Sequence, residues 1–79
     1  MQDELEFFQT WWKILMKYWN PPAKENESKE ADEFWHGLCV EIMELNKKYL
    51  NNTLFHPFAI KMGLDLIDEI KRRSELVGK

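Results

Sequence analysis

The sequence predicts an all-α fold, a small three-helix bundle forming a single domain over residues 1–79, with helices at about 3–19, 30–50 and 55–76. Three observations carry that expectation. Apolar side chains recur at intervals of three and four residues in three separate segments, the spacing that gathers them on one face of a helix. Two polar breaks, Asn20-Pro21-Pro22 and Asn51-Asn52-Thr53, divide the segments. No stretch shows the period-two alternation of a half-buried strand.

The first segment, LEFFQTWWKILMKYW over residues 5–19, is the most apolar in the chain. At about 100° per residue, Leu5, Phe7, Phe8, Trp11, Trp12, Ile14, Leu15, Met16, Tyr18 and Trp19 fall within an arc of about 200°. Glu6, Gln9, Thr10, Lys13 and Lys17 take the rest. Pro21 and Pro22 cannot extend the hydrogen-bond ladder and end the helix.

The second helix is expected to begin between Ser28 and Asp32, where Glu30, Asp32 and Glu33 put negative charge on the positive end of the helix dipole. Phe34, Trp35, Leu38, Ile42, Leu45 and Tyr49 form its inner face, flanked by Cys39, Met43 and Leu50. Asn46 falls inside that arc, and a polar amide there needs a hydrogen-bond partner or water.

The third helix starts at Thr53 or just before Pro57, which suits a first turn. Ala59, Met62, Gly63, Leu66, Ile67, Ile70 and Val77 share a face. A glycine in a helix interior costs about 1 kcal/mol relative to alanine. Gly63 is therefore expected to admit a close neighbour, with Trp12 or Trp35 the natural occupant of a groove widened by Ala59 and Ser74. Asp68 with Arg72 and Glu69 with Arg73 are spaced i,i+4, as on a solvated face.

Composition and charge exclude several classes of function. Hydrophobic residues make up 44% and charged residues 32% of the chain, as in a folded domain rather than a disordered one. The net charge of −3 argues against direct nucleic-acid binding, which draws its affinity from basic neutralisation of phosphates. The acidity is concentrated in residues 1–33, which carry eight acids and four bases. No apolar run approaches the roughly 20 residues of a membrane span, and the acidic Met1-Gln2-Asp3-Glu4 start is unlike a signal peptide. With a lone Cys39 and no internal disulfide to form, the chain is expected to be cytoplasmic and to bind no membrane.

The residues that carry chemistry do not assemble into a site in the sequence. Glu33-Phe34-Trp35-His36 has the Glu-x-x-His spacing of carboxylate-bridged metal sites, yet such sites need a second copy and two more inward glutamates, and Glu33 and His36 both lie opposite the apolar arc. His36 and Cys39 sit one turn apart without an orienting acid or an oxyanion hole. The three glycines, at 37, 63 and 78, form no phosphate loop. The expectation is no enzyme, no catalytic residue, no cofactor and no metal, with Cys39 a small core thiol.

What remains is the surplus of the first helix. Its arc divides into two stripes, Leu5, Phe8, Trp12, Leu15 and Trp19 beside Phe7, Trp11, Ile14 and Tyr18, and a bundle of this size has room for one. Tryptophan and tyrosine are enriched where binding energy concentrates. The second stripe, Phe7, Trp11, Ile14 and Tyr18, is therefore expected to dock, either with a second copy in a homodimer or with a different protein, while the first fills the core. The competing arrangement covers that edge within the chain, either by folding the loop from Asn20 to Ser28 over it or by wrapping the bundle around the first helix as its central element.

A compact, acidic, tryptophan-rich helical chain without catalytic apparatus is similar in style to the small accessory proteins encoded by bacterial phages and other mobile elements. Many of those bind and block a host protein. The likeness rests on no defined motif. It implies an alternative role as an acidic inhibitor of a nucleic-acid-processing or defence protein, acting through Glu25, Glu27, Glu30, Asp32 and Glu33.

Overall fold

A computed structural model describes residues 2–77, with side chains from Glu4 onward. Helix α1 spans Gln2–Lys17, α2 Lys29–Lys47 and α3 His56–Leu76. The structure is 73% helical, without strands among the described residues, and is the three-helix bundle the sequence predicts.

Each helix boundary has a local cause. Tyr18 N–H still reaches Ile14 O at 3.1 Å, but Trp19 N–H bonds only three residues back to Met16 O, so α1 tightens and stops two residues short of the expected end, ahead of the prolines. Ser28 caps α2 by accepting from Ala31 N–H at 3.2 Å, and Glu30 and Asp32 occupy its first turn. The helix gives way after Lys47 to bonds of the three-residue type, Tyr49 N–H to Asn46 O and Leu50 N–H to Lys47 O. Asn52 then opens α3: its side chain accepts from Phe55 N–H at 3.1 Å and its carbonyl from His56 N–H at 2.8 Å. Pro57 lies in the first turn, where its missing N–H costs nothing.

The helices run up, down and up. Phe7 near the start of α1 meets Tyr49 just past the end of α2, and Tyr18 at the other end meets Phe34 near the start of α2. Phe8 lies against Phe58 of α3, and Trp19 lies under Arg73 of the same helix, so α1 and α3 are parallel.

The core forms on the line where all three helices meet. Phe7, Ile14, Leu15 and Tyr18 enter it from α1, Leu38, Ile42 and Leu45 from α2, and Ala59, Leu66 and Ile70 from α3. Phe7 is fully buried, with Phe8, Tyr49 and Phe55 set edge-on to its ring at 5.2–5.6 Å between centroids. The space beside Gly63 belongs to α2: a Cβ there would lie 2.7 Å from Ile42 Cγ2 and 3.3 Å from Asn46 Nδ2. The expected tryptophan occupant is thereby corrected to an aliphatic side chain and an amide. Ser74 is buried and donates to Pro22 O at 2.7 Å, which ties the α1–α2 loop to α3. On the solvated side of α3, Arg72 bonds Glu69 three residues back rather than Asp68, and Arg73 joins Glu69 at 2.9 Å.

Candidate protein-docking face

The structure reverses the two stripes of α1. The four residues expected to dock line the interior instead: Phe7, Ile14 and Tyr18 are buried and Trp11 is half-buried against the core. The reason is that α2 and α3 supply partners for their polar tips. Trp11 donates its indole N–H to Met62 O at 3.0 Å, and Tyr18 donates its hydroxyl to Glu41 Oε2. An amphipathic ring whose polar atom is satisfied internally is as well suited to a core as to an interface. Burial, followed by the hydrogen bond and charge of Glu41, pushes the Tyr18 hydroxyl up to about 12. Burial works to raise Glu41 as well, but the bonds from Tyr18 and from Lys17, at 2.9 Å, outweigh it and hold the carboxyl below its ordinary value.

Of the stripe assigned to the core, only Leu15 is buried. Leu5 is 59% exposed, Phe8 41%, Trp12 56% and Trp19 37%, and Met16, which belonged to neither stripe, joins them at 41%. Together they trace an apolar face along the full length of α1. Its border with α3 is marked by Phe8 against Phe58, itself 41% exposed, and by Arg73 stacked 3.4 Å over the Trp19 ring. A shallow groove of ≈ 500 Å³ runs between Leu5, Phe8 and Trp12, edged by Gln9 and Lys13. The loop after α1 leaves this face open. It turns toward α3, with Pro21 buried, Pro22 bonded to Ser74 and Lys24 3.7 Å from Glu75.

The remaining candidate residues do not converge. Glu25, Glu27, Glu30, Asp32 and Glu33 are all exposed, along the loop and the first turns of α2. Glu33 and His36 point to solvent, and Cys39 is exposed on α2 rather than part of the core. Among the described residues no three of His, Cys, Asp and Glu gather to hold a metal ion, and no helix is long and apolar enough to cross a membrane. A cleft of ≈ 330 Å³ lies between Lys24, Trp35, Lys71, Ser74 and Glu75, but its acid pairs with Lys24 and the Ser74 hydroxyl is committed to Pro22. No family model, curated protein or solved structure matches the chain.

Proposed function

We propose that the protein is a non-catalytic interaction module that docks through the outward face of α1, with Leu5, Phe8, Trp12 and Met16 as the contact and Trp19 and Phe58 at its margins. The observation that carries this reading is the alignment of large, exposed apolar side chains along one helix. Scattered exposed hydrophobics are ordinary, whereas a contiguous patch of several hundred Å² is characteristic of binding surfaces. Trp12 is its natural anchor, an indole more than half exposed at the middle of the face with the groove beside it.

The test is the binding of a hydrophobic dye or partner before and after Trp12→Ala and Phe8→Ala. Weaker binding with an unchanged helical spectrum is the expected outcome. Unaltered binding by both variants removes this face from consideration. The five exposed carboxylates at 25–33 support a second reading, an acidic inhibitor of a basic protein channel. That reading predicts binding that fades with salt and is lost on charge reversal at Glu27 and Glu30, while docking through α1 is nearly indifferent to salt.

A further inference from the structure

Resting on that reading of the α1 face, we infer that its occupant is a second copy of this chain, with two α1 helices packed antiparallel across a two-fold axis at Trp12. The first argument is the order of residues on the face. Leu5, Phe8, Trp12, Met16 and Trp19 are placed symmetrically about position 12. In an antiparallel pair Leu5 of one copy meets Trp19 of the other, Phe8 meets Met16, and Trp12 meets itself, as a self-complementary two-fold contact requires.

The second argument is orientation. The polar side chains bordering the groove are Gln9 and Lys13. Glu6 and Lys17 lie toward α2, Glu6 beside Lys48 and Tyr49 and Lys17 bonded to Glu41, so neither stands in the way of a second copy. The helix dipoles favour the antiparallel arrangement.

The third argument is area. At the exposures of Leu5, Phe8, Trp12, Met16, Trp19 and Phe58, and with aromatic side chains offering 150–250 Å² each, the face presents roughly 500 Å². A stable homodimer buries about 800 Å² per partner, of which about two thirds is apolar. The face supplies that apolar share, and Gln9 and Lys13 stand on its polar rim.

Light scattering across a concentration series, with circular dichroism on every variant, tests the proposal. The wild type is expected to pass from 9.6 kDa to twice that mass as concentration rises. Trp12→Arg, which sets two cations together on the axis, is expected to weaken association roughly thirtyfold or more. Phe8→Ala, which removes the ring that meets Met16 of the second copy, should weaken it about tenfold. A dimer indifferent to Trp12→Arg overturns the inference and the α1 docking reading together. Loss on Trp12→Arg without any effect of Phe8→Ala overturns the antiparallel arrangement, in which Phe8 meets Met16. A wild type that stays monomeric to about 1 mM, a concentration at which even weak specific contacts form, overturns self-pairing. Iodide quenching then separates the two readings, since an accessible Trp12 leaves the face open to a different protein and a protected one removes the face itself.

Discussion

The Tyr18 hydroxyl donates to the Glu41 carboxylate across the α1–α2 interface, and Lys17 holds the same carboxylate at 2.9 Å from the solvent side. This three-residue link turns the C-terminal half of α1 so that Tyr18 faces inward. The adjoining apolar positions Met16 and Trp19 are then left partly exposed, at 41% and 37%. It also leaves a signature in the alkaline range. Tyr18 titrates near 12 in the folded chain and near 10 when unfolded, so the unfolded state loses its proton first and stability falls as pH rises between those values. A phenolate absorbance titration of the wild type minus Tyr18→Phe should show the Tyr18 step near 12. A Tyr18 step near 10 contradicts the buried, carboxylate-bonded hydroxyl.

The same pair acts in acid. Glu41 is held below its ordinary carboxyl value in the fold, so its contribution is complete above the unfolded value of about 4.5 and is lost as pH falls through the lower folded value. Tyr18→Phe keeps the ring but removes one of the two donors. The expected cost is about 1–2 kcal/mol near neutrality, with the loss shrinking in acid, measured by urea unfolding at several pH values. A pH-independent difference contradicts the assignment.

The reversed stripes predict a sharp contrast along α1. Phe7→Ala empties the centre of a ring cluster and should cost about 3–5 kcal/mol. That is a large share of the roughly 4–12 kcal/mol expected for a chain of 79 residues. Trp12→Ala, on the open face, should cost under about 1 kcal/mol in the monomer, and Phe8→Ala, which loses its ring contacts with Phe7 and Phe58, should fall between the two. Thermal unfolding at low protein concentration separates Phe7→Ala from Trp12→Ala, and equal losses would refute the assignment of faces.

Gly63→Ala replaces the second-poorest helix former with the best, a gain of about 1 kcal/mol on propensity alone. The structure predicts a net loss of about 1–2 kcal/mol, because the new Cβ would lie 2.7 Å from Ile42 Cγ2. Ile42→Leu removes that methyl. The double variant should therefore be more stable than the two single losses added together, a coupling that a double-mutant cycle reads directly.

Ser74→Ala tests the tie between the α1–α2 loop and α3. Without the 2.7 Å bond to Pro22 O the loop should be cut faster by a protease acting after Lys24. The accompanying loss of stability should be about 1 kcal/mol. Unchanged cleavage would show that burial of Pro21 holds the loop by itself.

Helix number, order and approximate span were legible in the sequence, because periodicity, the Ser28 cap, the two polar breaks and Pro57 act over a few residues and need no tertiary partner. The frayed ends at Tyr18 and at residues 48–50 were not, since a last turn tightens or continues according to what it packs on. That α1 carries more apolar surface than one bundle can cover was also determined by the sequence. Which stripe would be the surplus was decided only by tertiary structure. The two stripes differ little in hydrophobicity, and what separates them is whether a carbonyl such as Met62 O or a carboxylate such as Glu41 lies within reach of a buried indole or phenol. Those acceptors stand 51 and 23 residues away along the chain, beyond the reach of any local pattern.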